Sequence, residues 1–159
     1  MRIESLLYAT LNPIVRSLLR SPIHGIASGN LCLLSYRGRR TGRRYTTPLS
    51  FVREGGRKGR KVLLLSSHNT RWWTNFVDEP AEVELEIARE VHPGRARAHV
   101  EDSEHFRDGV RRFLTALPRD ARVYGIRLDR EKRPLEEDIE RAAGHVVLVE
   151  VELTGAAER

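Results

Sequence analysis

Five arginines crowd one short stretch, Arg37-Gly38-Arg39-Arg40-Thr41-Gly42-Arg43-Arg44. Guanidinium groups are planar donors matched to phosphate and carboxylate oxygens. Gly38 and Gly42 let the backbone turn and bring its N–H groups close to a ligand, and Thr41 adds a hydroxyl. Together these residues describe an anion cradle, and a solvated basic turn is the alternative with the same composition. The stretch is not a phosphate loop, because it lacks G-x-x-x-x-G-K-[ST] and no helix signal follows it. It also lacks the G-x-G-x-x-G of a dinucleotide fingerprint.

A second stretch, Ser66 to Pro80, reads SSHNTRWWTNFVDEP and holds both tryptophans of the chain. Ser66 and Ser67 offer hydroxyl and backbone donors at the end of an apolar strand. Neighbouring positions on a helix point in different directions. Of Trp72 and Trp73, therefore, one fills the core and the other borders a cleft. No catalytic dyad accompanies them. There is no G-x-S-x-G elbow, no H-E-x-x-H and no His/Cys pair at metal-ligand spacing, so neither a catalytic side chain nor a metal is expected.

These stretches need elements to position them. The segments Leu31–Tyr36 and Tyr45–Val52 are short, apolar and bounded by turn residues, which predicts two strands flanking the arginine insert. Arg53–Arg60 is a glycine-rich turn leading into a buried strand, Lys61–Ser67. Arg71–Val77 is expected as a short helix. Ala81–Ile87 alternates apolar residues with Glu82, Glu84 and Glu86, the pattern of a strand with one wet face. His92-Pro93-Gly94 is expected to turn the chain into a second alternating strand, Arg95–Glu101. Asp102 or Ser103 caps a helix with Phe106, Val110, Phe113, Leu114 and Leu117 on one face, ended by Pro118. Ala121–Leu128 is assigned to a strand, Pro134–Ala143 to a short helix and Val146–Leu153 to a last strand. At the N-terminus, residues 1–21 carry apolar side chains at helical spacing, kinked at Pro13 and ended by Ser21-Pro22.

Hairpin-length links predict an α+β fold, a mainly antiparallel six- or seven-stranded sheet that closes as a small barrel with flanking helices. The 159 residues are expected to form one domain, with the barrel and its helices over 31–153. The net charge of +6 favours anionic partners. Cys32, the only cysteine, lies within an apolar strand, so no intramolecular disulfide is possible, which fits a reducing cytoplasm. No apolar run reaches transmembrane length, and no signal peptide is evident.

Gly38, Arg40, Thr41, Gly42, Pro48 and Leu49, followed by Trp72, Trp73, Asn75 and Pro80, resemble the paired motifs of the deazaflavin (F420)-dependent nitroreductase family. That resemblance implies a split β-barrel related to the FMN-binding oxidoreductases, with F420 as cofactor and FMN as the alternative. It implies hydride transfer from the reduced deazaflavin to a small organic acceptor such as a quinone or nitro compound. By the same resemblance Arg39, Arg40, Thr41, Gly42 and Arg43 receive the cofactor's phosphate and acidic tail. Thr47 and Pro48 border its ring or ribityl chain, and Ser66, Ser67, Trp72 and Asn75 shape the ring end. Trp73 and Tyr124 stand on the substrate side. Two other readings remain, a non-redox lipid carrier on the same barrel and a basic nucleic-acid-binding barrel. Aromatic residues make up only 6% of the chain and only Tyr36 and Tyr45 adjoin the arginines, which disfavours nucleic acid. The amphipathic N-terminal helix is expected to be covered by the barrel or by a second copy in a homodimer, or to touch a membrane surface.

Overall fold

The structure, a computed structural model, describes residues 30–155. Strand β1 (Leu31–Arg37) and strand β2 (Arg44–Ser50) pair antiparallel without interruption from Leu31 opposite Ser50 to Arg37 opposite Arg44. The expected second strand is shorter than Tyr45–Val52. Phe51 leaves the ladder and donates its N–H to the Asn30 carbonyl at 2.9 Å. The chain resumes as β3 (Val52–Glu54), which pairs with β4 (Lys61–Ser67). Three further strands, β5 (Ala81–Ile87), β6 (Glu90–His99) and β7 (Val146–Leu153), complete a wholly antiparallel sheet.

The strand order is β2-β1-β5-β6-β7-β4-β3. Strands β2 and β3 therefore lie on opposite edges, yet Phe51 alone separates them along the chain. A single residue spans only about 3.5 Å, so the sheet must curl until its two edges meet there. The result is an α+β split barrel with seven strands, as the sequence led one to expect.

Both faces of the middle of the sheet are buried, which explains the unbroken apolar runs of β4 and β7. Inside the curl, Val62 and Leu64 pack with Cys32, Leu34, Trp72, Phe76, Leu85, Val147 and Val149. Burial of the Cys32 thiol pushes its pKa up, so it stays protonated and inert. On the outer face, Leu63, Leu65 and Leu148 meet Phe106, Val110, Phe113 and Leu114 of helix α1 (Glu104–Ala116). Ser103 caps this helix, its hydroxyl accepting the Phe106 N–H at 3.0 Å. Gly109 allows the close approach, because a Cβ there would stand 2.4 Å from a Leu148 methyl.

Three expectations fail, each for a physical reason. His92-Pro93-Gly94 is not a turn but the middle of β6, and the hairpin lies instead at Ala88-Arg89. Both turn residues take positive φ (48° and 73°), a shape that usually announces itself through Gly or Asn. Pro93 is tolerated because its carbonyl points toward the β7 side, accepting from Thr154, so its missing N–H costs the β5 ladder nothing. Second, Ala121–Leu128 is no strand: Pro118–Tyr124 is a 3₁₀ helix closed by left-handed Gly125. Ala121 and Ile126 are buried while Val123 is 75% exposed, which is not a period of two. Third, the expected helix Pro134–Ala143 breaks into α2 (Glu136–Ile139) and a 3₁₀ turn, Ala142–Gly144. The N-terminal helix expected over 1–21 lies outside the described residues.

Candidate functional site

The arginine stretch is the connection between β1 and β2, and it is tightly organised. Gly38 N–H donates to the Arg43 carbonyl at 2.7 Å, and Gly42 N–H donates to the Gly38 carbonyl at 2.8 Å. Gly42 sits at φ +70°, where a Cβ is disfavoured. A Cβ on Gly38 would lie 2.8 Å from both the Thr41 hydroxyl and the Tyr45 ring. The Thr41 hydroxyl bonds within the loop, accepting the Arg43 N–H at 3.2 Å and meeting the Tyr45 hydroxyl at 3.3 Å. Both glycines and the threonine thus hold the loop in shape.

The arginines divide into two groups. Arg37 donates to the Gly42 carbonyl, Arg39 pairs with Asp78 at 2.6 Å, and Arg44 reaches Glu84 at 3.1 Å. The guanidinium groups of Arg40 and Arg43 meet no carboxylate among the described residues, and both side chains are exposed. Two open cations on a fixed loop can bind an anion without first breaking an ion pair.

The short helix expected at Arg71–Val77 is a 3₁₀ helix, Trp72–Phe76, and it joins the two motifs. Asn75 Oδ1 accepts the Arg39 backbone N–H at 2.8 Å, while its Nδ2 donates to the Trp72 carbonyl at 2.9 Å. Asp78 adds the ion pair to the Arg39 side chain. Sequence reading passed over Asp78, although an acid placed just after a tryptophan pair in so basic a chain was the available signal. Of the two tryptophans, Trp72 takes the core position. Trp72 is buried in the barrel interior against Phe76, whose ring meets Tyr36 edge-on. Trp73 is half-buried, and its indole N–H donates to the Ser67 carbonyl at 3.0 Å with His68 beside it.

Ser66 is buried at the end of β4 and bonded to the Thr70 hydroxyl, another partner missed in the sequence. Thr47 and Pro48 point to opposite faces of β2. Thr47, opposite Leu34, is buried on the interior face, and Pro48, opposite Leu33, lies on the other. Tyr124 packs with the helix-side cluster, on the other face of β4 from Ser66, and its hydroxyl donates to the Leu65 carbonyl at 3.0 Å. Burial pushes that hydroxyl's pKa up to about 12. The structure therefore gathers Arg39, Arg40, Thr41, Gly42, Arg43, Asn75 and, through the 3₁₀ helix, Trp72, Trp73 and Ser67. Thr47 and Ser66 face the interior, while Pro48 and Tyr124 lie on the opposite faces of β2 and β4 from them. An open depression of about 420 Å³ lies elsewhere, lined by Val52, Glu54, Arg111 and Arg112, and does not touch the loop.

Fold and loop together define a split-barrel protein with a rigid, cation-bearing hairpin tip. The family model of the F420H(2)-dependent quinone reductases matches residues 15–132, and the chain belongs to that family. No curated protein matches it. Among solved structures, the heme storage protein HutZ from Vibrio cholerae is similar at 13% identity and TM-score 0.46, over 89% of each chain. Protein Atu2129 from Agrobacterium tumefaciens, of unknown function, is 14% identical at TM-score 0.49 over 87% of this chain and 59% of its own. The flavocytochrome Anf3 from Azotobacter vinelandii is 14% identical at TM-score 0.43, over 88% of this chain and 65% of its own. No helix among the described residues is long and apolar enough to cross a membrane.

Proposed function

We propose that this chain binds F420 at the arginine loop and passes a hydride to a small organic acceptor, a quinone first and a nitro compound second. FMN is the alternative cofactor. The observation that carries the reading is the pair of open guanidinium groups, Arg40 and Arg43, on a loop anchored from below by Asn75 and Asp78. A fixed pair of donors fits the phosphate and acidic tail of a deazaflavin, since it needs no rearrangement to receive them. Reduced F420, when bound, supplies the hydride. The chain's part is to hold and orient. Arg40 and Arg43 bind the anionic end, with Arg39, Thr41 and Gly42 keeping the loop in shape, while Asn75 and the Trp72–Phe76 turn set its height above the barrel. Thr47 and Ser66 present hydroxyls on the interior face, and Trp73 supplies a flat wall fixed by its bond to Ser67. Tyr124, expected on the substrate side, stands at the same end of β4, fixed by its bond to the Leu65 carbonyl. The likeness of the Arg/Gly and Trp/Asn motifs to the family supports the same assignment.

The test is a fluorescence titration of the protein with F420 and, separately, with FMN, followed by oxidation of reduced F420 in the presence of a soluble quinone or a nitroaromatic. Tight saturable F420 binding and quinone-dependent oxidation are expected. Failure of both cofactors to bind at micromolar concentrations would remove the redox reading.

A further inference from the structure

On the outer face of the sheet, away from the arginine loop, three side chains from three elements converge. His99 ends β6, His105 lies in the first turn of α1, and Glu150 stands on β7. Their nitrogen and oxygen ligand atoms all lie within 4.8 Å of one another. Both imidazole Nε2 atoms approach the same carboxylate oxygen, His99 at 2.7 Å and His105 at 2.5 Å. The other oxygen of Glu150 is buried, accepts no hydrogen bond and faces the Lys61 ammonium at 3.5 Å.

The fold builds this convergence. Gly109 seats α1 against Leu148 of β7, and His105, one helical turn earlier on the same face, then falls over Glu150. His99 is opposite Leu148 in the β6–β7 ladder, which puts its side chain on the same outer face as Glu150.

We propose that His99, His105 and Glu150 form a binding site for one divalent first-row transition cation of the zinc class. Two imidazoles and one carboxylate are the donor set such ions take, and oxygen-preferring magnesium or calcium does not select it. Bond lengths of about 2.0–2.2 Å set neighbouring ligand atoms roughly 3.3 Å apart. The observed approaches of 2.5 and 2.7 Å need only a slight opening, within reach of a rotamer adjustment at His105, which is half-exposed. That exposure leaves the remaining coordination positions to water. The ion replaces hydrogen bonds between α1 and the sheet by coordinate bonds, so it fastens the helix to β6 and β7. Lys61 remains as the partner of the other, buried carboxylate oxygen. The site is independent of the cofactor assignment.

The test uses tag-free full-length protein, stripped with chelator and titrated at micromolar concentration with Co²⁺ and then Zn²⁺. One Co²⁺ per chain with visible d–d absorption, displaced by Zn²⁺, together with a higher melting temperature in Zn²⁺, is the expected result. His105→Ala, at an exposed helical position, and Glu150→Gln, which keeps the side-chain shape, should each abolish the visible bands and the Zn²⁺-dependent rise in melting temperature. Far-UV circular dichroism checks that each variant is folded, and if Glu150→Gln fails to fold, His105→Ala decides. Absence of saturable binding in the wild type, or unchanged stoichiometry in His105→Ala, would overturn the proposal.

Discussion

Arginine does two different things in two regions of this molecule. From residue 102 to 141, most guanidinium groups are tied into carboxylates. Arg107 holds Asp102 with two hydrogen bonds, Arg111 holds Glu136 in the same way, and Arg112 pairs with Glu54 and Asp108. The centre of this network is Asp138, whose carboxylate is 5% exposed. It receives the side chain and backbone N–H of Arg127 and the side chain of Arg141. The Arg127 guanidinium, then its backbone N–H, hold that carboxyl well below the ordinary range against the opposing effect of burial. From 37 to 44, by contrast, the loop is shaped by glycines and backbone bonds, and Arg40 and Arg43 meet no acid among the described residues. Arginines matched to carboxylates brace the fold. Arginines on a rigid loop without carboxylates are free to meet a ligand.

The largest expected effect separates these roles. Replacing Arg40 and Arg43 together by alanine should weaken F420 binding by about 3 kcal/mol or more, over a hundredfold, in a fluorescence titration. The melting temperature should hardly change, because exposed side chains without partners support no core. Asp138→Asn should do the reverse, lowering the melting temperature by several degrees with cofactor affinity intact, since it breaks a hydrogen-bonded buried charge.

Asp138 also predicts a pH dependence. Its folded pKa lies below the unfolded one, so its stabilisation is complete above about pH 4 and drains away as pH falls further. Asp138→Asn should therefore lose less stability than the wild type between neutral and strongly acidic pH, which denaturant melts at a series of pH values will show.

A smaller effect probes how the open arginines are held. Asn75→Ala removes the acceptor for the Arg39 N–H, so the loop loses its anchor while keeping its charges. Affinity should fall by about tenfold, or about 1.4 kcal/mol, less than in the double arginine variant. The smallest is Tyr124→Phe. It deletes one hydrogen bond to the Leu65 carbonyl on the helix side and should cost about 1 kcal/mol in a urea melt without altering cofactor affinity.

Much of this architecture was legible in the residues. The alternation of Ala81–Ile87, the Ser103 cap and the apolar runs of β4 and β7 gave their elements almost at the observed bounds, because local pattern and burial agree there. The arginine insert was recognisable as the tip of a hairpin for the same reason. Tertiary context decided the rest. Nothing in Ala88-Arg89 marks a two-residue turn, and Pro93 is acceptable within a strand only because it faces β7 where that ladder ends, beyond Gly94 opposite Leu153. The division of the arginines depends on Asp78 and Glu84, acids far along the chain from their partners, so composition could count the cations but not say which stayed open. The His99–His105–Glu150 cluster was equally hidden, since its members meet only when α1 lies across β7.

The most direct test of the central claim is the ionic-strength dependence of F420 affinity in wild type and in the Arg40→Ala/Arg43→Ala variant. Contacts between exposed charges are screened by salt, whereas apolar contacts are not. The wild-type Kd should rise steeply from low to high salt, and the variant, weaker throughout, should show a much flatter response. Equal affinities and parallel salt curves would contradict the account and leave the arginine loop a solvated turn.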